Sequence, residues 1–329
     1  SILKQLPEEE KAGFYQLLYY PVKGCEFLNK MVLYGQKNRW YALQKRAATN
    51  SISKEVKAYY DSLQIITQGY NSLLNGKWNP VMTTRQGFAA SYFELPKLMT
   101  VSLPDAPSLG VLAEGEDVLQ GKSSIHTLPA FNTYFRQSYY VDLFNKGIIP
   151  LNWSVTTSDD WIVIDKKEGI TKLEERIWVS IDWTKVPVGE RISGVIDVMA
   201  GSAGKDKIYV SVFNPSSPSL QEMDSLFVEH NGYVSINASD YHRKVENEDI
   251  KIELIPNLGF EKASVQLGNP TAPVQKTGSS VVPRVEYDFY TFGQGSVDVY
   301  TYVLPTFTLS TDKDYAGHEA TNIETKYGI

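Results

Sequence analysis

Glu286 and Asp288 alternate along the stretch VEYDF. Residues two apart on a β-strand face the same way, so this spacing suits either an acid and base pair or two oxygen ligands for a cation. Two acids on the wet face of an antiparallel strand have the same pattern without any chemistry. Asp159 and Asp160 in SDDW fall at a predicted turn, where an aspartate bonds its own backbone, and Asp182 in VSIDW reads the same way at a strand end. His126, His230, His242 and His318 are each isolated, with no nucleophile or carboxylate at triad spacing and no H-x-x-x-H pattern for a metal. Cys25 is the single cysteine, which excludes an internal disulfide and a cysteine-based zinc cage. The motifs G-x-S-x-G, G-x-x-x-x-G-K and G-x-G-x-x-G are all missing. One stretch remains, GKWNPVMTTRQGF at residues 76–88, with Trp78, Asn79 and Arg85. It reads either as the lip of a binding site or as a helix ending where the chain changes direction. No catalytic residue, metal ligand or cofactor is assigned.

Composition bounds the partners. With 329 residues, 42% hydrophobic and 21% charged, the chain reads as a soluble globular protein of two or three domains. A net charge of -6 argues against a nucleic-acid partner, because phosphate binding draws on clustered Lys and Arg. No apolar run is long enough to span a membrane, and the N-terminus has no signal-peptide pattern. It begins at Ser1 without Met, as a processed protein or an excised fragment would. Tyrosine is abundant at 21 residues, with 6 Trp, which suits β-sandwich cores first and sugar-stacking surfaces second.

The elements that would hold these residues fall into three blocks: 1–99, an antiparallel helical bundle; 100–220, an immunoglobulin-like β-sandwich; and 221–329, a partial jelly-roll β-sandwich. The fold class is therefore multidomain, α then all-β. In the first block Phe14, Leu17, Pro21, Cys25, Leu28 and Val32 recur at helical steps, with Pro21 expected to open a second helix after a short first one. Asn50 or Ser51 is the expected N-cap of a further helix carrying Val56, Tyr59, Leu63, Ile66, Tyr70 and Leu73 on one face, and Gly76 its left-handed end. Lys37, Arg39, Lys45 and Arg46 in KNRWYALQKR are expected to form a solvated face.

Period-two runs then take over: SYYVDLF, PLNWSVTT, DWIVI, RIWVSIDW, SGVIDVMA and KIYVSVF in the second block. The third block offers GYVSINA, IKIELI, ASVQLG, PRVEYDFYTF and SVDVYTYVLPTF, fewer strands than a jelly roll needs. It is expected to be truncated, and the chain to be a piece of something longer.

Several segments together resemble glycoside hydrolase family 115, the xylan α-glucuronidases. FYQLLYYPVKGCEFLNKMVLYGQKNRWYALQKRA resembles the start of the helical domain that follows the family's catalytic barrel, and GKWNPVM resembles its G-K-W-N-H-M-M segment. LPAFNTYFRQSYYVDLFNKG, WVSIDWTKVPVGERISGVI, FVEHNGYVSINASDYHRK and VEYDFYTFGQGSVDVYTYVLPT are similar to the family in the same order. The resemblance implies an upstream α/β domain and (β/α)8 barrel holding the catalytic carboxylates of an inverting hydrolase, with this chain inactive alone. It also implies glucuronoxylan or a related acidic polysaccharide as partner, and a periplasmic or extracellular location. Trp78, Asn79 and Arg85 are then expected to wall the glucuronate pocket of the intact enzyme.

Pro80 stands where the family has histidine, and Thr84-Arg85-Gln86-Gly87-Phe88 where it has T-H-I-G-Y, so Arg85 supplies a planar cation for a uronate carboxylate. Asn237-Ala238-Ser239 replaces an E-A-E pattern and weakens a calcium site. Two other readings are a carbohydrate-binding module array and a structural region that forms a homodimer.

Overall fold

In the computed structural model the chain divides into two compact units, Ser1–Pro215 and Ser216–Ile329. The structure describes residue 3 and residues 5–82, 93–116, 125–269 and 282–304. Helices come first and strands follow, the expected order of α then all-β.

Helix α1 (Glu8–Phe14) passes through one wide π turn, Tyr15–Tyr19, directly into α2 (Tyr20–Leu43), and α3 (Thr49–Gly76) packs back along α2. Pro21 stands in the first turn of α2 after a short first helix, as expected, although the chain runs on through the wide turn without a break. The wide turn loosens the backbone where Pro21 has no N–H to give the preceding turn, and the helix continues. The buried side of α2 also differs from the expected stripe: Leu17 is 77% and Val32 46% exposed, and Cys25 is exposed too, whereas Met31, Gly35 and Asn38 are buried. Gly35 favours this side. Pro96 lies 3.2 Å from where its Cβ would stand, so a larger residue would have to push Pro96 back by a few tenths of an ångström. On α3 the expected face is inside, with Val56, Leu63, Ile66 and Tyr70 buried. The small core is Met31, Ala48, Ile52 and Val56, flanked by Leu28, Tyr34, Tyr59 and Leu98.

Neither Asn50 nor Ser51 caps α3, because Ala48 holds the cap position. Asn50 instead grips a passing strap of chain: its Nδ2 donates to the Val101 carbonyl at 3.0 Å and its Oδ1 accepts from the Val101 N–H at 2.9 Å. Asn38, fully buried, does the same to Met99 at 3.0 and 2.7 Å. A carboxamide offers a donor and an acceptor side by side, as a backbone does, so each asparagine acts as one rung of a ladder.

The strap leads into a two-sheet sandwich of β1 (Leu109–Ala113), β2 (His126–Thr127), β3 (Phe131–Asn132), β4 (Tyr139–Asn145), β5 (Leu151–Thr157), β6 (Ile162–Ile164), β7 (Glu168–Thr171), β8 (Glu174–Ile181), β9 (Gly189–Met199) and β10 (Lys205–Asn214). One sheet has the order β1-β4-β8-β6, the other β2-β10-β9-β5-β7, with β3 also on β10. Pairing is antiparallel except where β2 and β3 join β10. Alternation does what the sequence implies. Leu151, Trp153 and Val155 of β5 point inward and Asn152, Ser154 and Thr156 outward. The inner faces merge in one core that includes Phe131, Leu143, Ile177, Ile196 and Ile208, each fully buried.

Arg46, expected on a solvated face, is 1% exposed. Its guanidinium lies 4.3 Å from the Tyr41 ring and 4.1 Å from the Phe144 ring, with Nη1 2.9 Å from Glu174 and Nη2 3.5 Å from Asp142. Asp142 also accepts from Arg176 Nε at 2.8 Å. This cluster joins the helical hairpin to β4 and β8 within the first unit. Lys45 and Arg39 do face solvent.

The second unit has β11 (Phe227–Val228), β12 (Arg243–Val245), β13 (Ile252–Pro256), β14 (Ala263–Leu267), β15 (Arg284–Glu286) and β16 (Phe289–Tyr290), arranged as three two-stranded pairs, β11–β16, β12–β15 and β13–β14. GYVSINA is not a strand: Tyr233 makes one bridge to His230, and a short 3-10 turn covers Ala238–Asp240. Of SVDVYTYVLPTF, the described residues 296–304 join no ladder. Alternation makes a segment suited to pairing but does not bring an edge within reach.

Candidate functional site

The end of α3 turns sharply. Leu73 leaves helical geometry with ψ 143°, and Leu74, Asn75 and Gly76 follow with φ of 50°, 58° and 79°. Asparagine and glycine adopt left-handed backbone readily, and Gly76 is there as expected; for Leu74 the same conformation costs about 1–2 kcal/mol. The chain then folds back in tight turns, with Asn79 N donating to Gly76 O at 3.0 Å and Val81 N to Trp78 O at 2.7 Å. Asn71, one turn before the bend, closes the loop: its Nδ2 donates to Met82 O at 2.7 Å and its Oδ1 accepts from Met82 N at 3.0 Å.

Trp78 is half-buried in this loop, and its indole N–H is buried with no hydrogen-bond partner. The Lys77 ammonium lies 5.2 Å from the centre of its ring. Asn79 is exposed and lines an open cleft of about 460 Å³ together with Gln68, Asn71, Ser72, Asn75 and Gly76. Arg85, the third residue expected here, lies outside the described residues. Sequence reading found the loop but missed the helix side of the cleft. Gln68, Asn71 and Ser72 follow helical spacing, opposite the apolar face that was legible, and a polar helix face ordinarily signals only solvent; Asn75 joins them from the bend. Among the described residues the lining contains no titratable side chain.

The other candidates are tied up. Arg243 donates to both Asp288 oxygens, at 2.6 and 2.7 Å, and through Nε to Glu286 at 2.7 Å, while Arg284 Nε donates to Glu286 at 2.7 Å. These hydrogen bonds hold both carboxyls below the usual range, Arg243 acting first in each case, so the pair is ionised and anchored. Asp182 caps a turn as expected, its Oδ1 accepting from Thr184 N at 3.2 Å and Thr184 Oγ1 at 2.6 Å. Asp159 accepts from Ser158 Oγ, and Asp160 lies 3.5 Å from Lys185 Nζ.

His126 stands between carboxylates, Nδ1 2.9 Å from Glu116 and Nε2 3.3 Å from Asp206. The hydrogen bond to Glu116, outweighing desolvation, raises its pKa. His230 is shifted down by burial. His242 accepts at Nδ1 from the Asp288 N–H at 3.0 Å, leaving Nε2 to donate to the Ser225 carbonyl. His318 lies outside the described residues. Among the described residues no group of three or more His, Cys, Asp or Glu is placed to hold a metal, and no helix is long and apolar enough to cross a membrane.

No curated protein matches the chain. Among solved structures it is similar to a Bacteroides ovatus GH5 xyloglucanase in complex with a XXXG heptasaccharide, at 16% identity and TM-score 0.25, over 38% of this chain and 22% of that one. A family 123 glycoside hydrolase from Clostridium perfringens gives 14% identity and TM-score 0.24 over 37% of this chain and 30% of that one. The E. coli chaperone DraB gives 10% and 0.25 over 34% and 58%. The chain thus spans less than two thirds of each, and likenesses of this size transfer neither fold nor function. Residues 226–321 match the family model described as Glycosyl hydrolase family 115 C-terminal domain.

Proposed function

We propose that the chain is the non-catalytic C-terminal region of a polysaccharide-degrading hydrolase of the xylan α-glucuronidase kind, and that the loop after α3 borders the active-site cleft of an upstream barrel. The observation that carries this reading is the family match over residues 226–321. The state of the acids agrees with it, since Glu286 and Asp288 are neutralised by Arg243 rather than free to move protons. Inverting hydrolysis uses an acid and a base about 6.5–9.5 Å apart with water between them, and in this reading both belong to the barrel. Trp78 offers a flat apolar face, and Arg85 a planar fork for a uronate carboxylate. Action on xylan in turn argues for a periplasmic or extracellular home. We also read the sandwich as immunoglobulin-like, since β1-β4-β8-β6 against β10-β9-β5 follows the ABED and GFC arrangement, and the second unit as jelly-roll-like.

The test is Arg85→Ala in the full-length enzyme. Losing one charge-assisted contact is expected to lower kcat/KM on glucuronoxylan oligosaccharides by roughly tenfold or more, with less effect on neutral substrates. Unchanged kinetics removes the loop from the cleft wall, and uronic acid released by the purified 329-residue chain ends the non-catalytic reading.

One observation favours a second reading, a carbohydrate-binding module. Trp178 is 45% exposed, meets Tyr140 edge-to-face at 5.8 Å, and has beside it the Arg176 guanidinium 3.6 Å over the Tyr140 ring. An aromatic shelf of this kind stacks on sugar rings. Retardation of the chain in xylan-containing gels, abolished by Trp178→Ala, selects this reading; free migration discards it.

A further inference from the structure

We propose that the cleft at the end of α3 is a subsite for an uncharged pyranose ring, held by carboxamides. Its volume of about 460 Å³ falls within the range of small-molecule sites. Among the described residues its lining is unusual in one respect: apart from Gly76, each contributes a neutral hydrogen-bonding group, four carboxamides from Gln68, Asn71, Asn75 and Asn79 and one hydroxyl from Ser72.

A carboxamide carries two donor hydrogens and an acceptor oxygen, and a sugar hydroxyl both donates and accepts, so the two match group for group. An anion is matched by Arg, Lys or a cluster of N–H groups, and among the described residues no cationic side chain lines this cleft. The nearest described cation in sequence, Lys77, lies over the Trp78 ring. Two lining groups are partly spent, Asn71 on Met82 and Ser72 on the Gly69 carbonyl at 3.0 Å. Gln68, Asn75 and Asn79 make no side-chain hydrogen bond among the described residues and are free for a ligand. Asn75 and Gly76 are presented by the left-handed bend, and the Asn71 clamp on Met82 fixes the returning strand.

Neutrality of the ligand follows from the described lining residues, whereas the choice of a sugar among hydroxyl-rich molecules rests on the hydrolase reading proposed above. The cleft would then hold a backbone sugar while the uronate is recognised elsewhere.

The experiment is a titration of the 329-residue chain with xylotriose, and separately with glucuronic acid, following the side-chain amide resonances of Gln68, Asn75 and Asn79 by NMR. Xylotriose is expected to shift these signals in the millimolar range, and glucuronic acid to bind at least tenfold more weakly. The double variant Gln68→Ala, Asn79→Ala removes two free carboxamides from exposed positions and leaves the Asn71 clamp intact. It should keep its melting temperature and lose affinity for xylotriose at least tenfold. Absent shifts, shifts unchanged in the double variant, or tighter binding of glucuronic acid each overturn the proposal. Because the titration needs no catalysis, its outcome is separate from the kinetics of Arg85→Ala: a silent cleft with a sensitive Arg85 leaves the hydrolase reading standing, and the reverse result leaves a sugar site without it.

Discussion

Arg46 is the residue on which the first unit turns. A cation this deeply buried is tolerated because two rings and two carboxylates replace its water, and removing it leaves Glu174 with Tyr41 and Lys37 and Asp142 with Arg176. Arg46→Ala is expected to cost about 3–5 kcal/mol in urea unfolding, the range for breaking a buried pair from one side. Arg46→Lys should recover only part of this, since an ammonium keeps the charge and loses the planar stacking. Gly110→Ala tests the same cluster from below, because the Phe144 ring occupies the place of a Cβ there. A loss below about 1 kcal/mol for Arg46→Ala contradicts the assignment. Arg46 was not legible because its partners lie 96 and 128 residues away, and a local charge run looks the same whether one member is buried or all are solvated.

His126 shows the opposite dependence on surroundings, since its raised pKa makes the protonated form the stabilising one. Its contribution is complete below the unfolded value of about 6.5 and is lost as pH rises through the folded pKa. Chemical unfolding followed from pH 6 upward should show this decline. His126→Gln should flatten it, and an unaltered profile discounts the Glu116–His126–Asp206 contact.

At the scale of elements, asparagines hold irregular chain against helices. Asn38→Ala removes a buried donor from the Thr49 carbonyl and both side-chain partners from the exposed Met99 backbone, at a cost of about 1–3 kcal/mol. The strap at residues 93–104 should then become the first site of proteolysis. Asn50→Ala, at a half-buried position, should do less because water can replace its amide. Equal resistance of Asn38→Ala and the parent chain to protease would show that the strap is held by packing alone. The face of α3 was legible, since one apolar stripe ran along a helix with one buried side. The face of α2 was not. It has apolar residues on two sides, and the choice was made by Gly35 against Pro96 and by Asn38 against the strap, contacts that helical periodicity does not contain. The candidate site divides along the same line: the GKWN loop was readable from its glycine, tryptophan and proline, while the carboxamides of α3 gained meaning only when the bend brought Asn79 across from Gln68.

The two units differ in how much they bury, and that difference sets where the molecule opens. In the first, the inner residues of β8, β9 and β10, among them Ile177, Val179, Ile196, Val198 and Ile208, are fully buried between two sheets. In the second, the buried apolar side chains among the described residues are Met223, Val228, Ile250 and Ile252, spread over strands that pair only two by two. A two-stranded pair is marginal by itself, and local opening costs least where few apolar contacts are lost. Native-state hydrogen exchange is therefore expected to find the slowest amides in β8–β10, with those of β13 and β14 exchanging at least tenfold faster, a gap of about 1.4 kcal/mol or more in opening free energy. β13 and β14 lie within residues 226–321, the range that matches the family model. Protection of β13 and β14 equal to that of β9 and β10 would mean that the second unit draws stability from contacts beyond its own ladders, and that its sparse core is no guide to its behaviour.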